Sequence, residues 1–312
     1  MTGGETASPG AAGQGIGGSI YDLGYRGYAG PRLGRRHAIR ALLVQTLRVA
    51  YGVGRGGRAK LAPVILGGLA TIPAIIGVGV VALARQAGMP PNLEDASPVR
   101  HDTYYGLITT LVVLFCAAQV PEILGRDQRH QLLSLYFSRA LRREDYALAR
   151  VAGIILAILV FVLLPQAIIF LGLVLSASDI GAEFGREARL LGPILGQAVV
   201  LSVLLGSLSA VVAAFTPRRV YATTAIIVVL AVTPIVGSVL VGLGVTDLAR
   251  LAVLLSPADI LEATNAKLFG TTSSNDLLRA ADLPGELYLV GAAVISVVAI
   301  ALLVRRFRTI AA

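Results

Sequence analysis

The chain has 312 residues; 55% are hydrophobic, only 14% are charged, and the mean hydropathy is +0.77. A soluble globular domain carries about 25% charged residues, so this balance excludes an ordinary soluble enzyme or binding module and places the chain in a bilayer. The formal charge of +9 does not make it a nucleic-acid binder, because the basic residues flank apolar runs, where anionic headgroups and the insertion rule account for them.

Residues 1–36 read as a disordered tail with a basic lead-in. MTGGETASPGAAGQGIGGS is rich in Gly, Ala and Ser, has Glu5 as its one charge, and has no apolar segment of signal-peptide type. An amphipathic helix is predicted from His37 to Arg55. Ile39, Leu42, Leu43, Leu47, Ala50 and Val53 recur at helical spacing, and Arg36, Arg40, Arg48 and Arg55 lie on an adjoining face. The segment 37–60 is therefore expected in the inner interface of the membrane, with Arg36, Arg40 and Arg48 toward anionic headgroups.

A helix needs about 20 apolar residues to cross the hydrocarbon, and six segments reach that length, at about 61–84, 104–124, 151–175, 190–215, 221–245 and 286–304. Pro63, Pro73, Pro165, Pro193 and Pro234 fall inside them, as membrane helices tolerate. With the N-terminus inside, the inner segments hold 20 of the 27 Lys and Arg and the outer ones hold seven. Both termini are thus expected in the cytoplasm, with residues 305–312 a basic tail, and the chain is a multi-pass protein of the plasma (inner) membrane. The fold expected is all-α: a six-helix transmembrane domain over 61–304, preceded by the interface helix.

Two connections draw attention. The stretch 246–285 is too long for a structureless loop. DLARLAVLLSPADILEATNAKLFG has Leu248, Leu251, Leu254 and Leu255 before a break at Ser256-Pro257, so one or two short helices are expected at the outer rim, with re-entry into the membrane left open. The loop 125–150 carries six of the 27 Lys and Arg. Leu132, Leu133, Tyr136 and Phe137 make one apolar stripe of a short helix, flanked by Arg129 and Arg139 and ended by Ser138. Arg142-Arg143-Glu144-Asp145 opens the next helix, with two carboxylates in its first turn. A helix, a break and a helix between two spans are suited to contact with a cytoplasmic partner.

The chemistry missing is as informative. There is no G-x-x-x-x-G-K-[ST], so the chain is not expected to be its own ATPase or any other enzyme. The spans carry almost no carboxylates or histidines, which argues against ion coupling. Glu122 is the one acidic residue beside an apolar run, and Gln119 shares its helical face; together they are a candidate polar relay to the loop or to the N-terminal arginines. Cys116 reads as an inert buried thiol. Asp179, Glu183 and Glu187, spaced by four, read as a solvated acidic face rather than a metal site. Gly192 and Gly196 permit close helix approach without specifying a dimer.

Three stretches carry a resemblance. Glu122 with RDQRHQLLSLYFSRALRREDYALAR, then SPADILEATNAKLFG, then GYRGYAGPRLGRRHAIRALLVQTLRVAYGVGR are similar to the permease subunits of ABC exporters of the second, type-2 permease family, in its actinobacterial-type members. The resemblance implies a V-shaped helical permease that pairs with a second copy or paralogue and sits on two ABC ATPase subunits. Residues 126–145 would dock in a groove of the ATPase, through Arg129, Leu132, Leu133, Tyr136, Phe137, Arg139 and Arg142. It implies no cofactor in this chain, with ATP and Mg bound by the partner ATPase, and export of an amphiphilic or lipid-like compound such as a drug, antibiotic, lipid or peptide. The alternatives are an ion-coupled carrier or channel, and a non-transporting membrane scaffold that binds a cytoplasmic partner.

Overall fold

The computed structural model describes Gly30 and residues 33–89, 100–137, 141–216, 218–243, 245–273 and 275–309, and the elements described are all helical. Most of the N-terminal tail expected over residues 1–36, and the helix end expected at Ser138, lie outside the described residues. In chain order the helices are α1 (Gly34–Ala50), α2 (Gly57–Gln86), α3 (His101–Arg129), α4 (Leu133–Phe137), α5 (Arg143–Ser176), α6 (Ile180–Ala188) and α7 (Leu191–Phe215). There follow α8 (Arg219–Ile227), α9 (Thr233–Gly242), α10 (Thr246–Leu255), α11 (Pro257–Phe269), α12 (Asp276–Ala281) and α13 (Gly285–Thr309). Six stretches are long and apolar enough to cross a membrane: α2, α3, α5, α7, the run Arg219–Leu240, and α13.

The bundle is organised around α3, α5 and α7. These are its most buried spans, and Ile108, Val112, Cys116, Leu124, Ile154, Ile158, Leu201, Leu204 and Leu205 fill the space between them. Helix α2 packs on α5 and α3, α8 on α3 and α7, and α13 on α7 and α5. The peripheral helices turn Leu69, Ile72 and Ile76 of α2, Val228 and Val236 of the fifth span, and Val290, Val294 and Val297 of α13 outward. Outward apolar rows on all three fit a hydrocarbon solvent, in which apolar surface has no tendency to be buried.

Prolines leave visible marks. Pro234 lacks an N–H and its ring crowds the carbonyl four residues back, and the turn before it, Val228–Val232, is widened into a π-helix. Pro121 likewise leaves the carbonyl of Ala117 without its helical donor; Thr223 Oγ1 of α8 donates to it at 2.9 Å and so ties α8 to α3.

One end of the bundle gathers the starts of α2, α5 and α8 and the ends of α3, α7 and α13. There Gln128 reaches the Ala214 carbonyl (3.4 Å), Arg143 the Arg308 carbonyl (2.9 Å), and Arg308 pairs with Glu144 (2.9 Å). We refer to it as the basic end. At the opposite end, α11 is capped by Ser256, whose Oγ accepts from Asp259 N at 3.3 Å, with Pro257 in its first turn. Gln197 of α7 holds α11 by donating to the Leu261 carbonyl (2.9 Å) and accepting from Thr264 Oγ1 (3.1 Å). Gly196 faces Leu268 of α11, whereas Gly192 faces open space.

Three expectations change. The stretch 246–285 forms three short helices, not one or two. The first helix, expected from His37 to Arg55, begins at Gly34 and stops at Ala50, because Gly52 adopts a left-handed φ of 67° and a side chain there would meet the Ala59 carbonyl at 2.7 Å. Val53 and Arg55 therefore belong to a turn, and the first span begins at Gly57. The acidic face of α6 is solvated only at Asp179, which is exposed. Glu183 pairs with Arg85 at 2.9 Å, and Glu187 accepts from His101 Nε2 at 3.1 Å; both glutamates are buried against the bundle. His101 Nδ1 in turn meets Gln166 Oε1, so polar groups from α3, α5 and α6 satisfy one another at the opposite end. Among the described residues no group of three or more His, Cys, Asp or Glu could hold a metal ion.

Candidate functional site

At the basic end, α3 does not stop where its apolar run does. It continues to Arg129 because Ile123, Leu124, Gly125 and Asp127 pack inward. Gln131, at φ 52°, then breaks the helix, and the single turn α4 follows. The chain next re-enters the bundle as α5, whose cap residue Arg142 donates its backbone N–H to Asp145 Oδ2 at 3.1 Å.

The centre of this junction is Arg150, only 2% exposed. Its Nη2 bonds Asp127 Oδ2, and Asp127 also accepts from the Tyr146 hydroxyl at 2.6 Å. Its Nη1 donates to Thr46 Oγ1 of α1 at 2.9 Å, while Thr46 donates to its own helix at the Leu42 carbonyl (2.7 Å). The guanidinium lies over the rings of Tyr146 and Tyr136, 5.3 and 5.9 Å from their centroids. One side chain thus touches α1, α3, α4 and α5. Removing one partner of such a buried pair costs about 3–5 kcal/mol, because the other charge is left uncompensated.

Helix α1 is clamped to the same point. Arg35 makes two bonds of 2.7 Å to the Asp145 carboxylate, a bidentate geometry that favours Arg. Gly153 permits the approach: a Cβ there would lie 2.6 Å from Thr46 Cβ. Leu42, Thr46 and Ala50 face α5 and are buried, while Arg36, Arg40 and Arg48 remain exposed on the other side of α1.

The docking stripe expected from the sequence is turned the other way. Leu133 is 5% exposed, and the rings of Tyr136 and Phe137 pack on Tyr146, tilted and edge-on, with centroids 5.4 and 6.0 Å away. Leu132 is half-buried. These residues hold α4 to the bundle, because the apolar face of a five-residue turn is better buried on Tyr146 than left in water. The exposed side of α4 is Ser134 and Leu135, the latter 63% exposed. Arg142 is exposed at the cap of α5, and Arg139 lies outside the described residues.

The relay residues sit on α3 as the spacing predicts. Glu122 accepts from Arg55 at 3.0 Å and has Arg129 and Arg219 at 3.7 Å each, so the carboxylate ties the turn after α1, the end of α3 and the start of α8. Gln119 is buried one turn earlier, but no hydrogen bond joins it to Glu122 among the described residues. Sequence reading missed Asp127, Tyr146, Arg150 and Arg35, and placed Asp145 at a helix start without its partner Arg35. A signal was present: Tyr146, Arg150 and Ile154 share one helical face, so an arginine stood in the middle of an inward stripe.

Chemically the junction offers no nucleophile beside a base and no set of metal ligands. It offers mechanical connection, since displacement of α4 must move or break the bonds of Arg150. Compared with known proteins, the chain matches no protein-family model and no curated protein.

Proposed function

We propose that the chain is the permease subunit of an ATP-driven exporter of the ABC type, with α4 as the element through which a separate ATPase moves the spans. The observation that carries this reading is the Arg150 junction. A single turn between two spans, exposed on one side and bonded through one buried guanidinium to three other elements on the other, is suited to transmit a push from outside the membrane into the bundle. The six apolar helices and the lack of a phosphate-binding loop support the same division of labour.

In this reading the basic end faces the cytoplasm, since it gathers most of the Lys and Arg that flank the spans, and both termini lie there. Helix α1 lies at the inner interface, with Arg36, Arg40 and Arg48 exposed toward anionic headgroups. The partner ATPase binds ATP and Mg, and a second permease copy or paralogue completes the transporter. The cargo is amphiphilic or lipid-like, in keeping with spans poor in charge.

The test is purification of the tagged full-length chain from its native membrane. The expected result is a stoichiometric complex with an ATP-hydrolysing subunit, with hydrolysis confined to the complex. A purified chain that hydrolyses ATP by itself, or that transports when no ATPase is bound, would overturn the reading.

A further inference from the structure

Between the start of α2, the end of α3 and the start of α8 lies an open cavity of about 640 Å³. Arg55, Arg58, Arg126 and Arg219 line it, with Gln119 and the single carboxylate of Glu122. Four guanidiniums thus face one counter-charge, and that carboxylate is already shared by Arg55 and Arg219 and by the neighbouring Arg129. Arg58 and Arg126 form no ion pair among the described residues. The backbone of Gly56 and Gly57 also borders the cavity, where the positive end of a 30-residue helix opens without a side-chain cap.

A surplus of fixed positive charge in a concave site is costly to leave empty, since the guanidiniums repel one another; an anion relieves that cost. The planar donor fork of Arg matches a phosphate better than it matches a halide. The cavity's position narrows the choice further. Its walls are the ends of three spans, and beside it Leu61, Val64 and Ile65 of α2 and Val220 and Tyr221 of α8 are exposed apolar surface. A ligand with a phosphate at one end and hydrocarbon at the other satisfies both surfaces at once.

We propose that this cavity is a phosphate site, occupied by the headgroup of an anionic phospholipid whose acyl chains lie along α2 and α8. Bound there, the lipid bridges the first, second and fifth spans through charges that Glu122 alone cannot balance. The site does not depend on the exporter reading, because it uses only the cavity, its charges and the spans around it.

The experiment is native mass spectrometry of the full-length chain in a nonionic detergent, titrated separately with phosphatidylglycerol, phosphatidylcholine and glycerol 3-phosphate. The expected result is one saturable phosphatidylglycerol, bound more tightly than phosphatidylcholine. In Arg58→Gln/Arg126→Gln the affinity should fall roughly 30-fold, at about 1 kcal/mol or five-fold per charge. Arg58→Lys/Arg126→Lys should recover most of it, and Arg100→Gln/Arg189→Gln, which removes the same charge at the opposite end, should not change it. Glycerol 3-phosphate binding as tightly as the lipid would assign the phosphate site to a soluble ester and remove the acyl part of the proposal. Phosphatidylglycerol binding that is unaffected by the Arg58 and Arg126 changes, or no preference over phosphatidylcholine, overturns it; a double variant that still binds in single stoichiometry has folded and serves as its own control.

Discussion

The guanidinium of Arg150 and the carboxylate of Asp127 meet inside the bundle with 2% and 8% of their side chains exposed. They come from α5 and α3, on either side of the turn α4, so the ion pair closes the loop that the chain leaves between its second and third spans. Thr46 and Tyr136 also bond the guanidinium and Tyr146 bonds the carboxylate, so at the junction four helices meet around one ion pair.

Asp127→Asn should therefore destabilise the chain by about 3–5 kcal/mol, and Arg150→Met by a similar amount, since each leaves a buried charge alone. The double variant Asp127→Leu/Arg150→Met should recover most of that loss. Cys116 is the sole cysteine and is fully buried, so its reaction with a thiol dye on heating reports unfolding directly. If the pair matters for coupling beyond stability, the double variant will be stable and yet fail to link ATP hydrolysis to transport. Normal transport by it would reduce the junction to a structural clip.

Leu133 and Leu135 should part company. Leu133→Asp buries a carboxylate in the apolar core and should lower the thermal midpoint or the yield. Leu135→Asp changes an exposed side chain and should leave stability within about 0.5 kcal/mol. It should weaken attachment of the ATPase by about 2 kcal/mol or more, close to 30-fold. Co-purification normalised to permease level decides this; full retention of the ATPase by Leu135→Asp would take α4 out of the docking role.

At the opposite end, burial pushes the Asp259 carboxyl above the usual carboxylate range, although Asn275 Nδ2 donates to its Oδ1 at 3.2 Å, and Oδ2 has no partner among the described residues. A raised value means that the folded chain holds this proton more tightly than the unfolded one. The resulting stability is complete below about pH 4, the unfolded value, and is lost as pH rises through the raised one. Asp259→Asn keeps an acceptor for Asn275 and should raise the thermal midpoint at neutral pH while flattening its fall from acid to neutral. An unchanged pH profile would place the loss elsewhere.

Topology can be read with single cysteines in a Cys116→Ala background. A cysteine at Ala182, exposed on α6, should react with an impermeant thiol reagent in intact cells, whereas one at Thr309, exposed at the end of α13, should not. Labelling at Thr309 from outside would invert the orientation on which the docking model depends.

The six spans, the helix before them and the start of α5 at Arg142 were legible in the sequence. A run of 20 apolar residues has few alternatives in hydrocarbon, and Glu144 and Asp145 mark the first turn of α5 by their charge. The polar ties were not legible, because they are distances between residues far apart in the chain. Nothing in the local pattern around Asp127 says that Arg150 will neutralise it, or that Arg35 will reach Asp145 from 110 residues away. The stripe Leu132, Leu133, Tyr136 and Phe137 shows why. Periodicity establishes that these side chains share a face, but only packing on the bundle, with Tyr146 against Tyr136 and Phe137, decides that the face turns inward. Glu183 and Glu187 teach the same lesson in reverse: their spacing by four placed them on one side of α6, and it was Arg85 and His101, from two other spans, that made burial of that side the lower-energy choice.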